Sequence, residues 1–215
     1  MKSGFRGSGF GCWVLSAALF LLAGCSAGPK FLIKDFQPPR AIAVLPFANE
    51  TNDVEGPESV RKLLIELLPR RGYAPMNEET VDRTLREKLG ITEGGQLGSV
   101  TAQEIGQELG CDGLMYGNLL TFMDLPLGYV RKRTVKADLK LVDSRTGNVL
   151  WEDEKSWTTP EFHFNSQEAK RAASWQVADR QMRKIAGTLL REESILMLER
   201  ALKNLPLKRF RLSAD

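Results

Sequence analysis

The stretch VKADLKLVDSRTGNVLWEDEKSW, residues 135–157, decides the fold because it belongs to the one long alternating pattern in the chain. Between residues 130 and 142, apolar side chains alternate with polar ones, which predicts an antiparallel strand with one buried and one solvated face. The segment DSRTG, residues 143–147, predicts a tight turn, since glycine readily adopts a positive φ. A return strand is then expected from Val149 to Thr158. On the first strand, the apolar side carries Val135, Ala137, Leu139 and Leu141, and the polar side carries Lys132, Thr134, Lys136, Asp138 and Lys140.

Upstream of this hairpin, strand-like and helical patterns alternate. Residues 41–47, AIAVLPF, are an apolar run of strand length. Pro57 suits the first turn of a helix, Asn77 suits an N-cap, and Thr101 with Glu104 has the form of a capping box. The predicted elements are therefore a strand at 41–47, helices starting near Pro57, Asn77 and Thr101, and a strand at 114–122.

The pattern beyond the hairpin is helical. Apolar residues recur at helical spacing in two stripes, the first ending near Leu189 and the second near Leu205. The first stripe either covers the sheet or joins a neighbouring subunit. The whole order predicts an α/β fold with a mixed sheet packed by helices and long C-terminal helices, in a single domain. The first stripe consists of Ala172, Trp175, Ala178, Met182, Ile185 and Leu189.

The amino terminus has the pattern of a secretory signal. Lys2 and Arg6 precede an apolar run at residues 12–23, which is shorter than the roughly 20 residues of a membrane-spanning helix. Residues 22–25, LAGC, resemble the bacterial lipobox, in which the cysteine is acylated and becomes the new amino terminus. We expect a signal peptide at 1–24, a lipidated tether at 25–40, one periplasmic α/β domain at 41–205 and a basic tail at 206–215.

Acylation of Cys25 predicts attachment to a membrane through its acyl chains. One chain anchors only marginally, whereas two or more anchor stably. By resemblance to proteobacterial lipoproteins, Ser26 after the cysteine implies sorting to the outer membrane, with the domain facing the periplasm or the cell surface. A tether of this length would reach about 50 Å at ~3.3–3.6 Å per residue.

Composition argues against nucleic acid as a partner and against an intramolecular disulfide. The formal charge of +3 falls further when Lys2 and Arg6 leave with the signal, so nucleic acid is not an expected partner. Cys12 also leaves and Cys25 carries lipid, so Cys111 has no partner for an intramolecular disulfide. We expect Cys111 to be a small buried apolar residue.

The sequence offers little catalytic chemistry, and no cofactor or metal site is predicted. His163 is the one histidine, and no HExxH, CxxC or GxSxG pattern accompanies it. Glu152 and Glu154 share one side of a strand, either as a glycosidase-like pair or as a solvated face paired with Lys136 or Lys140. No residue is assigned a catalytic role.

Trp151 and Trp157 are the candidate partner contacts. They share one side of the return strand. If that side is exposed, they are anchors for a partner, since tryptophan is enriched at binding hot spots. Otherwise they belong to the core under a helix.

Three stretches together resemble a known group of domains: AIAVLPFANETND (41–53), ELGCDGLMYGNL (108–119) and LKLVDSRTGNVLWEDEKSW (139–157). They resemble the CsgG/LpoB/TolB-amino-terminal class, and within it a bacterial lipoprotein family that contains a meningococcal genome-derived antigen. The resemblance implies an envelope lipoprotein whose domain binds proteins and has no catalytic residues. The long strand is charged along its polar side, which disfavours pore formation by this chain alone.

These observations predict a lipid-anchored, non-enzymatic envelope lipoprotein. It would bind envelope proteins or copies of itself in outer-membrane or periplasmic assembly, secretion or cell-wall machinery. The alternatives are a periplasmic hydrolase, with Glu152, Glu154 or His163 in a deep cleft, and a subunit of a CsgG-like secretion complex.

Overall fold

The computed structural model describes residues 28–126, 129–162, 175, 177–184 and 189–208. Cys25 and the rest of the predicted signal and lipobox, together with His163, lie outside the described residues. The predicted basic tail is described only to Lys208.

Six strands form one mixed sheet in the order β1-β6-β5-β4-β2, and β3 also pairs with β4. β4, β5 and β6 are joined in two antiparallel pairings, while β2 and β3 run parallel to β4. This arrangement confirms the predicted α/β class with a mixed sheet. The strands are β1 (Phe31–Leu32), β2 (Ile42–Val44), β3 (Ala48–Asn49), β4 (Gly113–Pro126), β5 (Val130–Asp143) and β6 (Val149–Phe162).

The helices begin where the sequence places caps. Pro57 lies in the first turn of α1, and the Asn77 side chain accepts a hydrogen bond of 3.0 Å from the Thr80 backbone N–H at the start of α2. At α3, the Thr101 backbone N–H donates to the Glu104 carboxylate, and the Glu104 N–H donates to the Thr101 hydroxyl. The helices are α1 (Gly56–Leu67), α2 (Glu78–Leu89), α3 (Ala102–Leu109), α4 (177–184) and α5 (Arg191–Asn204).

Two apolar cores lie on opposite faces of the sheet. On the first face, α1 and α5 cover residues of β2, β4, β5 and β6, among them Val44, Leu139 and Trp151. On the second face, α2 and α3 pack on β2 and β4 around Ala43 and Leu114. The second face of β5 and β6 carries half-buried and exposed polar side chains instead, and it is called the open face below.

The predicted tether is largely part of the folded domain, which corrects the expected boundary at residue 41. Phe31 and Leu32 pair with Glu152 and Trp151, and the Ile33 backbone N–H donates to the Leu150 carbonyl at 3.0 Å. A two-residue strand between charged and proline-rich stretches has no periodicity that could reveal it. Only residues 26–30 remain between Cys25 and the sheet, and they span at most about 20 Å instead of 50 Å.

The other end of the domain also extends past its predicted boundary at residue 205. The Lys208 backbone N–H donates to the Arg71 carbonyl at 3.0 Å. The Lys208 ammonium donates to the carbonyl oxygens of Pro39 and Arg40 at 2.8 and 2.9 Å. Lys208 therefore belongs to the folded domain and holds the segment that precedes β2.

Candidate interaction surfaces

The tryptophans of the hairpin lie on the first face, which α5 covers. Trp151 is fully buried, and Trp157 is partly buried against the same core. The Arg200 guanidinium of α5 lies 4.8 Å from the centre of the Trp157 ring. The exposure that would make Trp151 a partner contact is absent in this structure, and its position matches the alternative of a core residue under a helix. Alternation identified the side on which both residues lie but could not show what covers it.

Two charged residues of β6 also point toward the first face. Asp153 is buried and accepts hydrogen bonds from the Lys155 ammonium at 2.5 Å and from the Asn204 side-chain amide of α5 at 2.8 Å. A buried carboxylate needs such partners because leaving it unpaired is costly. The network therefore ties the end of α5 to β6.

The outer edge of β6 is only partly paired. β1 pairs with Trp151 and Glu152, and from Asp153 to Pro160 no strand among the described residues pairs with that edge. Pro160 is compatible with this position, since proline within sheets is confined to edges, strand ends and bulges. Inward-pointing charges and proline are also devices that limit uncontrolled edge pairing. We call residues 153–160 the β6 edge.

The open face holds the paired carboxylates that the sequence singled out. Glu154 lies 2.6 Å from the Lys136 ammonium across the hairpin, and Glu152 lies 2.5 Å from the ammonium of Lys30. The predicted pairing of this face with Lys136 is therefore present. Lys140 lies instead over the Tyr116 ring, 5.5 Å from its centre.

Asp138 is the residue of the open face that sequence reasoning did not single out. Burial raises the pKa of its carboxyl group, while the hydrogen bond from Lys136 lowers the pKa of Glu154. Its cross-strand neighbour is Asn118, whose amide donates to Glu50 at 2.6 Å. The alternating pattern placed Asp138 on a solvated side, and half-burial by neighbouring side chains leaves no signal in that pattern.

Cys111 has the environment of a structural thiol. It is buried in the core between α2, α3 and the sheet, and burial raises the pKa of its thiol to about 11. A thiol of that pKa holds almost no thiolate at neutral pH, and the thiolate is the reactive form. Among the described residues no group of His, Cys, Asp and Glu is arranged to hold a metal ion.

Charged residues connect α4 to the ends of the long strands. Arg131 and Asp124 are both buried and form a bidentate pair at 2.8 and 2.6 Å. Asp179 of α4 lies 3.3 Å from the Arg131 guanidinium and 2.9 Å from the Nε of Arg183. These polar contacts join the described part of α4 to the sheet.

The apolar side chains of this segment face solvent. Trp175 is 72% exposed, Val177 59% and Met182 62%. Of the predicted stripe, Trp175 and Met182 therefore do not cover the sheet, whereas Leu189 is buried in the core of the first face. A surface helix of a globular protein normally turns its apolar side inward, whereas the half-buried side chains of α4 are those of Asp179 and Arg183.

None of the helices among the described residues is both long enough and apolar enough to cross a bilayer.

Comparisons with known proteins place the chain among bacterial lipoproteins. A family model described as "Putative lipoprotein GNA1162-like" matches residues 33–184. A protein of Neisseria meningitidis serogroup B, named as a putative lipoprotein, is 30% identical over 142 residues, covering 63% of this chain. The match spans 64% of that relative's length.

Solved structures give a similar result. The crystal structure of lipoprotein GNA1162 from Neisseria meningitidis has a TM-score of 0.54 and 26% identity, covering 66% of this chain and 97% of its own. The LpoB structure from E. coli has a TM-score of 0.42 and 14% identity, covering 57% and 59%. The second score is too low to support the predicted CsgG/LpoB/TolB class, which stays a prediction.

Proposed function

Because the chain belongs to the GNA1162-like family of lipoproteins, we propose that it is a lipid-anchored, non-enzymatic envelope protein that binds other proteins. The observation that carries this proposal is the family match of a chain in which residues 22–25 resemble a lipobox. Acyl chains on Cys25 would hold the domain at the membrane, and Ser26 favours the outer membrane. Its role would lie in envelope assembly, secretion or cell-wall machinery.

The β6 edge is the surface that we propose for a protein partner. Unpaired N–H and C=O groups of an edge strand can pair with an extended segment of another chain, a common mode of peptide recognition. Ser156, Thr158 and Pro160 are exposed along it, so an incoming strand would meet few bulky side chains. The short free tether would keep this edge close to the membrane.

Crosslinking in cells tests the proposal. A photo-crosslinking amino acid at Thr158 should capture an envelope protein, whereas the same group at Glu87, exposed on α2, should not. A Cys25→Ala variant should lose the product because the domain is no longer held at the membrane. Equal products at Thr158 and Glu87, or none from either, would contradict binding at the β6 edge.

A periplasmic hydrolase acting on glycan or peptide is the second candidate, and one observation favours it. The pKa of Asp138 is raised and that of nearby Glu154 is lowered, and such a separation is typical of catalytic acid–base pairs. A hydrolase predicts that Glu154→Gln or Asp138→Asn abolishes function without unfolding the protein. Under the binding proposal, both variants keep the Thr158 crosslink.

A further inference from the structure

Where the three long strands β4, β5 and β6 end, one side of the sheet is largely apolar. Leu125 pairs with Lys132 and Val130 pairs with Phe162, and these four side chains lie on the side of the open face. Tyr129 is 57% exposed in the turn beside them, and Phe162 is 56% exposed. We call these five residues the hairpin tip; Lys132, which is exposed, is its one charged residue.

The opposite end of the same hairpin is polar. Residues 143–148, DSRTGN, join β5 to β6 there without a single apolar side chain. Between the two ends, Asp138, Glu152 and Glu154 make the open face charged. Exposed apolar patches mark contacts with proteins or membranes, and tyrosine is enriched where a bilayer meets water. Of the two ends of the hairpin, the tip is therefore the one that suits a membrane surface.

The direction of β1 points to the same end. β1 runs antiparallel to β6, with Phe31 opposite Glu152 and Leu32 opposite Trp151. Residue numbers along β6 rise toward the hairpin tip, so the chain enters β1 from the direction of the tip. The Lys30 ammonium lies 2.5 Å from the Glu152 carboxylate on the open face. The segment that leads back to Cys25 is thus held on the side of the sheet where the tip is apolar.

The length of the tether limits how the sheet stands on the membrane. An acylated Cys25 would hold Phe31, and with it Glu152, within about 20 Å of the bilayer surface. From Glu152 to Phe162, β6 extends about 33 Å at ~3.3 Å per residue. The hairpin tip therefore reaches the surface when the long strands are inclined at about 40° or less to the membrane plane.

We propose that the hairpin tip rests in the surface of the bilayer that holds Cys25, as a protein contact with the membrane in addition to the acyl chains. The proposal rests on the proposed function, from which it takes acylation of Cys25. The rings of Tyr129 and Phe162 lie at the level of the lipid headgroups, and Lys132 keeps its ammonium in water while its stem contacts lipid. Thr158 lies about 13 Å back along β6, so the β6 edge stays above the surface and remains open to a partner.

Fluorescent labels at single positions test the contact. Added cysteines can be labelled selectively, because Cys111 is buried and burial raises the pKa of its thiol to about 11. The acylated protein, labelled with a nitrobenzoxadiazole group, is reconstituted in phosphatidylethanolamine–phosphatidylglycerol vesicles with or without bromine on the acyl chains. Labels at Tyr129→Cys and Lys132→Cys should shift their emission to shorter wavelength and be quenched by the brominated chains. A label at Arg145→Cys, exposed at the opposite end, should show neither change.

A label on the other side of the sheet tests which side meets the lipid. Trp175 lines a groove with Arg131, which lies on the same side of β5 as Val135 in the first core. Trp175 is exposed, yet a label at Trp175→Cys should be quenched less than the one at Lys132→Cys because it lies on the first face.

A charge placed in the tip tests whether its apolar side chains hold the contact. Tyr129→Asp should reduce the quenching of the Lys132→Cys label, because a carboxylate is costly to remove from water. Val54→Asp is the matched control, since it places the same charge on an exposed apolar residue of the β3–α1 loop. It should leave the quenching unchanged.

Three results would overturn the proposal. They are quenching at Arg145→Cys in place of Tyr129→Cys, equal quenching at Lys132→Cys and Trp175→Cys, and an emission shift at Tyr129→Cys that brominated lipid does not quench. The last result would mean that a protein surface, such as a second copy of this chain, covers the tip.

The same samples separate failure of the tip contact from failure of the proposed function. Protein that floats with the vesicles and keeps the Thr158 crosslink in cells, but shows no quenching at the tip, would contradict the tip contact alone. Protein that does not float with the vesicles and forms no Thr158 crosslink would contradict both.

Discussion

The two halves of the long hairpins are buried by different chemistry. Where β2 and β3 flank β4, the sheet is covered by apolar side chains such as Leu114, Leu139 and Trp151. Beyond residue 120, where only β4, β5 and β6 continue, the buried side chains include Asp124 and Arg131. We call these the proximal half and the distal half of the sheet.

This difference in burial implies that the two halves contribute unequally to the free energy of unfolding. Apolar burial contributes free energy roughly in proportion to area, whereas a buried ion pair contributes little net stability against its desolvation. In the distal half, the ion pairs of Arg131 with Asp124 and Asp179 therefore fix the positions of the side chains more than they stabilise the fold. Trp175 and Met182 remain exposed there. We expect the proximal half to contribute more than the distal half to the free energy of unfolding.

Trp151→Ala should have the largest effect on stability. The side chain is fully buried under α5, and truncation of such a residue costs about 3–5 kcal/mol of unfolding free energy. Urea denaturation followed by circular dichroism measures it. Trp175→Ala is the matched control: its side chain is exposed, so we expect a change within about 0.5 kcal/mol. Equal losses for the two variants would contradict the division between the halves.

Asp124→Asn should give the next largest effect. It leaves the Arg131 guanidinium buried with Asp179 as its remaining charged partner, and we expect a loss of about 2–3 kcal/mol. Asp124→Leu with Arg131→Met removes both charges and should be closer to the wild type than the single variant. A double variant as unstable as the single one would mean that the pair itself supplies net stability.

The proximal half was the more predictable of the two. Period-two alternation found β5 and β6 and the side on which Ala137, Leu139 and Trp151 lie, because apolar residues alternate regularly there. Capping residues such as Asn77 and Thr101 act on their nearest neighbours, so the starts of α2 and α3 were also readable.

The candidate surfaces depend on contacts that no local pattern contains. Asp124 and Arg131 are seven residues apart on neighbouring strands, whereas Asp179 is 48 residues from Arg131, and only the fold brings it to them. The stripe through Trp175 and Met182 predicted a helix but not which of its sides faces the sheet. That side is set by Asp179, which accepts a hydrogen bond from the buried Arg131. β1 was missed because two residues are too few to show a period.

Asp138→Asn should have a small stabilising effect at neutral pH. Burial raises the pKa of Asp138 above its usual 3.8, so the fold disfavours its charged form. The destabilisation by the charged carboxylate is absent below the pKa of Asp138 in the unfolded state. It appears as the pH rises through the pKa of Asp138 in the folded state, and it persists above that pKa. We expect a gain on the order of 0.5 kcal/mol at pH 7 after solvent screening, which disappears near pH 3. Urea midpoints at both pH values measure it, and a gain that persists at pH 3 would have another cause.

The Lys136–Glu154 pair should give the smallest effect, although its atoms are as close as those of Arg131 and Asp124. Both side chains are 38% exposed, and such pairs contribute about 0.2–1 kcal/mol. The hydrogen bond from Lys136 lowers the pKa of Glu154 below 4.5. The stabilisation by the pair is therefore present above pH 4.5 and is lost as the pH falls through the lower pKa of the folded state.

A double-mutant cycle with Lys136→Ala and Glu154→Ala in 0.05 M and 1 M salt measures the coupling between the two side chains. Screening at 1 M salt acts over about 3 Å and should remove most of it, whereas the buried Asp124–Arg131 coupling should change little. Equal salt sensitivity in both cycles would show that water reaches the Asp124–Arg131 pair, and would contradict the difference in burial between the two pairs.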